Sequence, residues 1–200
     1  MLYSDLRKIR KIFFSYTDVA EILKVSEDSA KVYCNRFVKQ NLIIRPKRDF
    51  YILREKWENI TLNQLMELAN LLQVPSYISL TTALIYYGIT SQVQQNFIES
   101  ISVMRTKEID VESTVFKYFK IKRNLYSGFN KVENLFIAMP EKALIDALYL
   151  NALGKYRLDL NSIDFNKFDK EKLNYLLKNC LPRIRDMIRK ILNGINNEGT

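Results

Sequence analysis

Residues 16–53 read YTDVAEILKVSEDSAKVYCNRFVKQNLIIRPKRDFYIL, and the spacing of their apolar side chains decides how the N-terminal part folds. Val19, Ala20, Ile22 and Leu23 give a short helix its apolar stripe. Thr17 is its expected N-cap, and Asp18 and Glu21 suit its positive end. Val25 and Ser26 form a turn, and Ser26 caps a second helix over 27–40. Ala30, Tyr33, Cys34 and Phe37 recur at three- and four-residue spacing and face a core. Lys24 stands in the turn where glycine is common, and a left-handed lysine carries a steric cost. Asn41 stops the helix, since Asn tolerates that conformation.

Two short strands follow, 42–45 and 50–53, joined by a basic turn, Pro46-Lys47-Arg48-Asp49. Upstream, Leu6, Ile9, Ile12 and Phe13 predict an opening helix over about 3–14. Helix, turn, helix and a two-stranded ribbon make a winged helix-turn-helix, a module that sets one helix in the DNA major groove. The face of 27–40 turned from the core carries Asp28, Ser29, Lys31, Val32, Asn35 and Arg36, with Ser26 at its start. Asn pairs with adenine, Arg and Lys with guanine, and an acid accepts from the cytosine amino group. Asp28 either does the last or merely caps, and Lys47 and Arg48 at the ribbon tip suit a phosphate or the minor groove.

Charge supports a polyanion partner. The 200 residues carry a formal +9. Residues 1–57 hold 13 Lys/Arg against 7 Asp/Glu, a net +6; residues 58–154 are at −1 and residues 155–200 at +4. Lys/Arg contacts release condensed counterions from a duplex. The chain has no histidine, the side chain best suited to proton transfer near neutral pH and the commonest zinc ligand. Cys34 and Cys180 stand alone, which argues against a zinc site or a disulfide scaffold. No apolar run reaches the roughly 20 residues of a membrane helix, and the first residues, MLYSDLRKIRKIFF, do not read as a signal peptide. The expectation is a cytoplasmic protein with no cofactor and no membrane partner.

Beyond Trp57 the pattern becomes mixed. Thr61 caps a helix over 62–73, which Pro75 stops, and Ser79 caps a short helix over 80–87, ended by Gly88. Residues 97–104, 114–121 and 132–138 read as strands, and Pro140 opens a helix over 141–150. Helices over 170–179 and 182–194 follow, with 193–200 frayed. The fold class is α+β: a winged helix-turn-helix at 1–57, a connecting helix within 58–76, and a mixed domain with a small sheet at 77–200.

Three blocks in order carry a resemblance. They are 16–53, then Tyr77-Ile78-Ser79-Leu80 with Ala83 and Tyr86-Tyr87-Gly88, then Ile137-Ala138-Met139-Pro140-Glu141-Lys142-Ala143-Leu144-Ile145-Asp146. Together they resemble the AbiEi family of antitoxins from type IV toxin–antitoxin systems, linked to abortive infection, over about residues 5–150. The resemblance implies a repressor that binds inverted repeats in the promoter of its own operon. It also implies a second domain counteracting a nucleotidyltransferase-like toxin, with no stable complex required. Met139 stands where family members often have Thr or Ser, so a side-chain N-cap is lost. Within the last block Glu141 suits the first turn, and Lys142 and Asp146, four apart, can pair for about 0.3–0.5 kcal/mol if exposed. The block is structural, or it touches a toxin or nucleic acid.

The basic helix at the end carries Arg183, Arg185, Arg189 and Lys190 opposite Leu181, Ile184, Ile188 and Leu192. That face is solvated, or it makes a second contact to DNA or RNA, or it meets a membrane surface. Asp110, Glu112, Glu133 and Asp146 are the carboxylates available for a metal-dependent enzyme, but nothing in their spacing requires one. The expectation is a non-enzyme: an autorepressor and antitoxin, or a stand-alone regulator whose C-terminal domain oligomerises or senses a ligand.

Overall fold

The computed structural model describes residues 2–178, 180 and 182–198, with 2, 183, 184, 191 and 194–198 as backbone. The chain is mixed α+β and divides into two units, Met1–Gln64 and Leu65–Thr200.

The first unit runs α1 (Leu2–Leu6), β1 (Phe13–Phe14), α2 (Tyr16–Leu23), α3 (Glu27–Lys39), β2 (Ile43–Lys47), β3 (Phe50–Leu53) and α4 (Arg54–Trp57). The strands form an antiparallel sheet in the order β1-β3-β2. Ala30, Cys34 and Phe37 of α3 pack with Val19, Ile43 and Tyr51 in one apolar cluster. A buried side chain the size of Phe37 contributes roughly 1.5–3 kcal/mol.

The opening helix is shorter than its periodicity predicts. It stops at Leu6, and Phe13 and Phe14 instead pair with Ile52 and Tyr51. Phe13 stacks on Phe50 across the sheet at 5.4 Å between ring centroids. The carbonyls released between helix and strand are taken by one ammonium: Lys56 donates to Ile9 at 2.8 Å, Arg10 at 3.3 Å and Lys11 at 2.9 Å.

The cap of α2 is Ser15, two residues ahead of the expected Thr17. The Ser15 hydroxyl accepts from the Asp18 amide and the Asp18 carboxylate accepts from the Ser15 amide, a reciprocal capping box. Burial pushes the Asp18 carboxyl up, but hydrogen bonds from Lys11 and Ser15 outweigh it and hold its pKa below the ordinary value. Ser15→Ala is expected to cost about 1 kcal/mol, read as a lower urea midpoint at unchanged slope. Lys24 ends α2 in the left-handed region at φ 53°, and Asn41 follows α3 at φ 59°.

The second unit holds α5 (Leu62–Leu72), β4 (Ser76–Ile78), α6 (Leu80–Tyr86), β5 (Phe97–Ser102), β6 (Lys107–Val111), β7 (Thr114–Lys120), β8 (Phe129–Val132), β9 (Leu135–Ala138), α7 (Pro140–Ala152), α8 (Lys170–Leu177) and α9 (Pro182–Glu198). The connector expected at 58–76 is divided. The boundary between units falls inside α5, because Leu65, Met66, Leu68, Ala69 and Leu72 are buried with the second unit.

The sheet is twice the expected size, six strands in the order β6-β7-β5-β4-β9-β8. β5 runs parallel to β7 and β4 to β9, and the other neighbours are antiparallel. The three strands not foreseen are short or polar: β4 has three residues, β6 reads KEIDV and β8 reads FNKV. β6 and β8 are the edges, where charged side chains discourage pairing with other chains. Pro140 starts α7 as predicted, and residues Glu141 to Leu150 are all buried. α9 continues as helix to Glu198, past the fraying expected from 193.

Candidate nucleic-acid interface

The sequence of α3 separates its two faces cleanly. Ala30, Cys34 and Phe37 are buried, and Tyr33 is half-buried beside them. Asp28, Ser29, Val32, Asn35, Arg36 and Lys39 are exposed. Ser26 caps the helix as expected, accepting from the Ser29 amide at 3.2 Å. Asp28 therefore does not cap; its carboxylate accepts from Lys31 at 3.1 Å, and this raises the Lys31 pKa. Lys31 also lies 4.7 Å from the centroid of the Tyr16 ring, so it is held toward α2. The outward stripe is thus Asp28, Val32, Asn35, Arg36 and Lys39, at three- and four-residue steps.

The ribbon tip is tighter than the four-residue turn expected at 46–49. Lys47 pairs with Phe50, so only Arg48 and Asp49 form the turn, with Asp49 at φ 56°. Pro46 lies inside β2, an edge strand, at an irregularity in register between Ile44 and Lys47 where a missing donor costs little. Arg48 projects almost fully into solvent and meets the neighbouring Asp49 at 3.4 Å. Lys47 is exposed, with its ammonium 5.3 Å from the centre of the Phe50 ring. Arg45 of β2 donates to the Asn35 side-chain carbonyl at 3.4 Å and so links ribbon to helix. Asn35, Arg36, Lys47 and Arg48 thus present donors from two adjoining elements of one unit.

The other two sequence blocks meet elsewhere, in the interior of the second unit. The Tyr77 hydroxyl donates to the Asp146 carboxylate at 2.8 Å and the Ser79 hydroxyl at 2.9 Å. Lys142 donates to the other Asp146 oxygen and to the Leu125 carbonyl, at 2.8 Å to the latter. The Lys142–Asp146 pair, expected from its four-residue spacing, is buried, at 5% and 2% exposed. Burial pushes the Asp146 carboxyl above its ordinary pKa, against Lys142, Tyr77 and Ser79. Burial and the Asp146 charge drive the Tyr77 hydroxyl well above its own.

Ser79 does not cap α6 through its side chain, since its hydroxyl is committed to Asp146. The next residue, Leu80, is buried and sits at φ 57°, a strained position for leucine. Gly128 is glycine for a related reason: a Cβ there meets Lys142 side-chain carbons at 3.1 Å, and φ is 76°. Glu141 is also buried, and accepts from the Asp169 amide ahead of α8 at 3.0 Å. Pro140 fills the first turn of α7, and Gly88 closes α6 at φ 63°. The burial of Ser79, Glu141, Lys142 and Asp146 leaves a partner no surface to touch on them.

A second buried carboxylate, Glu99, is one that sequence reasoning missed. It accepts from Gln94 and from the Tyr156 hydroxyl, each at 3.0 Å, and burial raises its pKa. The available signal is a lone acid in the strand FIESIS. Asp110, Glu112 and Glu133 do not gather with Asp146: among the described residues no three His, Cys, Asp or Glu side chains are placed to hold a metal. Of the basic face on α9, Arg189 and Lys190 are exposed and Arg185 is half-buried. The side chains of Arg183 and Ile184, and Leu181, lie outside the described residues. Among the described residues no helix is long and apolar enough to cross a membrane. No protein-family model, no curated protein and no solved structure matches the chain.

Proposed function

We propose that the chain is a DNA-binding transcriptional repressor whose first unit is a winged helix-turn-helix, with α3 as its recognition helix and β2–β3 as its wing. The observation that carries the reading is the stripe Val32, Asn35, Arg36 and Lys39, exposed on a helix whose opposite face is anchored in a core. The +6 charge of residues 1–57 supplies the attraction to phosphate. With the resemblance of the sequence blocks, the proposal extends to an antitoxin that represses its own operon and counteracts a nucleotidyltransferase-like toxin in the cytoplasm. The buried Lys142–Asp146 network serves that second activity by holding its domain together.

Titration of the full chain against its own promoter and against random duplex of equal length tests the first part. The promoter is expected to bind at least about 10³-fold more tightly at physiological salt. Equal affinity for both ends the repressor reading. Co-expression with the product of the adjacent gene tests the second part. Growth restored by the full chain supports an antitoxin; continued toxicity while promoter binding is intact reduces the protein to a regulator.

A further inference from the structure

Val32 is the anomaly of the α3 stripe. It is 67% exposed, while its neighbours on the same face, Asp28, Asn35, Arg36 and, a step further, Lys39, are polar. Among the described residues of the first unit, only Val32 and Leu62 are exposed large apolar side chains. A β-branched residue at an exposed helix position loses side-chain freedom and gains no packing in return. The site is also shaped: Val32, Asn35, Arg36, Lys39 and Gln40 line a shallow depression on the outer surface of α3. One apolar side chain among amide and cationic ones suits a small apolar group embedded in a polar, anionic surface. In the major groove that group is the C5-methyl of thymine, which projects beside hydrogen-bonding base edges.

We propose that Val32 is a specificity-determining residue that recognises the C5-methyl group of a thymine in the bound site, while Arg36 and Asn35 bond to flanking base edges. This rests on the DNA-binding reading above. Val32 at the sixth position of α3 lies within the first two turns, the part of a recognition helix that reaches base edges. The neighbouring Arg45 donates to the Asn35 side-chain carbonyl, so the Asn35 amide nitrogen is the group left to donate to an acceptor such as guanine O6 or thymine O4.

The test is made with the full chain. Duplexes are enriched from a randomised pool, and each thymine of the selected site is replaced in turn by deoxyuridine, which removes only the methyl group. One thymine position for each bound copy of α3 is expected to lose about fourfold in affinity, the equivalent of ~0.8 kcal/mol for one buried methyl. Val32→Ala is expected to lose a similar factor on the thymine site and to become indifferent to the deoxyuridine exchange. Because Val32 is exposed, this variant keeps the fold. A selected site on which no exchange matters, or on which Val32→Ala stays equally sensitive, overturns the inference and leaves the DNA-binding reading standing. A pool from which no sequence is enriched overturns both.

Discussion

Asp146→Ala is expected to destabilise the second unit by about 3–5 kcal/mol. The residue accepts from Lys142, Tyr77 and Ser79 with almost no access to water. Its removal leaves the Lys142 ammonium buried against the Leu125 carbonyl, and two hydroxyls without the oxygen they bonded. Stranding one charge costs more than the pair is worth, because a buried pair gains little over apolar packing. The double variant Lys142→Met/Asp146→Leu is therefore expected to recover part of the loss. It does not recover all of it, since Tyr77 and Ser79 still lack an acceptor, at about 1–3 kcal/mol each. Urea unfolding of the full chain followed by circular dichroism separates these outcomes. A single variant within about 0.5 kcal/mol of the parent means that water reaches the site and the network is not closed.

On the proposed DNA-binding reading, a second large effect separates base reading from phosphate binding. Arg36→Ala is expected to weaken promoter binding by about 1–3 kcal/mol, roughly 5- to 150-fold, and to relax preference at one base pair. Arg36 is exposed on α3, outside the apolar cluster that holds the helix, so its loss changes recognition without unfolding the unit. Lys47→Ala/Arg48→Ala is expected to weaken promoter and random DNA alike. Removing one cation from a phosphate lowers the slope of log K against log salt by about one, so the double variant flattens it by about two. Affinities at several salt concentrations on both duplexes distinguish the two patterns. An Arg36→Ala defect that is uniform across sequences, with an altered salt slope, moves Arg36 from base edges to the backbone.

Much of the first unit was legible because its signals act between near neighbours. Ser26 caps the residue three along, Asn41 turns its own backbone, and Ala30, Cys34 and Phe37 lie on one face by helical geometry alone. The misreading of the opening helix has a distant cause. Phe13 and Phe14 fit a helical period as well as a strand, and their partners Ile52 and Tyr51 lie 39 and 37 residues away. Thr17 and Ser15 are both good caps, and Asp18 stands three residues after Ser15, where its carboxylate closes the reciprocal box with the earlier one. In the second unit β6 and β8 are short edge strands with only two apolar side chains each, Ile109 and Val111 in one and Phe129 and Val132 in the other, too few to mark a strand against their polar neighbours.

The exposed face of α3 and the basic ribbon follow from the chain alone, because amphipathic period and turn chemistry are properties of consecutive residues. The roles of Tyr77, Ser79, Lys142 and Asp146 do not. Lys142 and Asp146 at four-residue spacing pair equally well on a surface or in a core, and nothing nearby in the chain says which. Tyr77 reaches Asp146 across 69 residues, and the parallel pairing of β4 with β9 and the packing of α6 on α7 bring their elements together. Folding thus made an ordinary helical ion pair into a buried one, because desolvation depends on everything packed around a group and not on its neighbours in sequence.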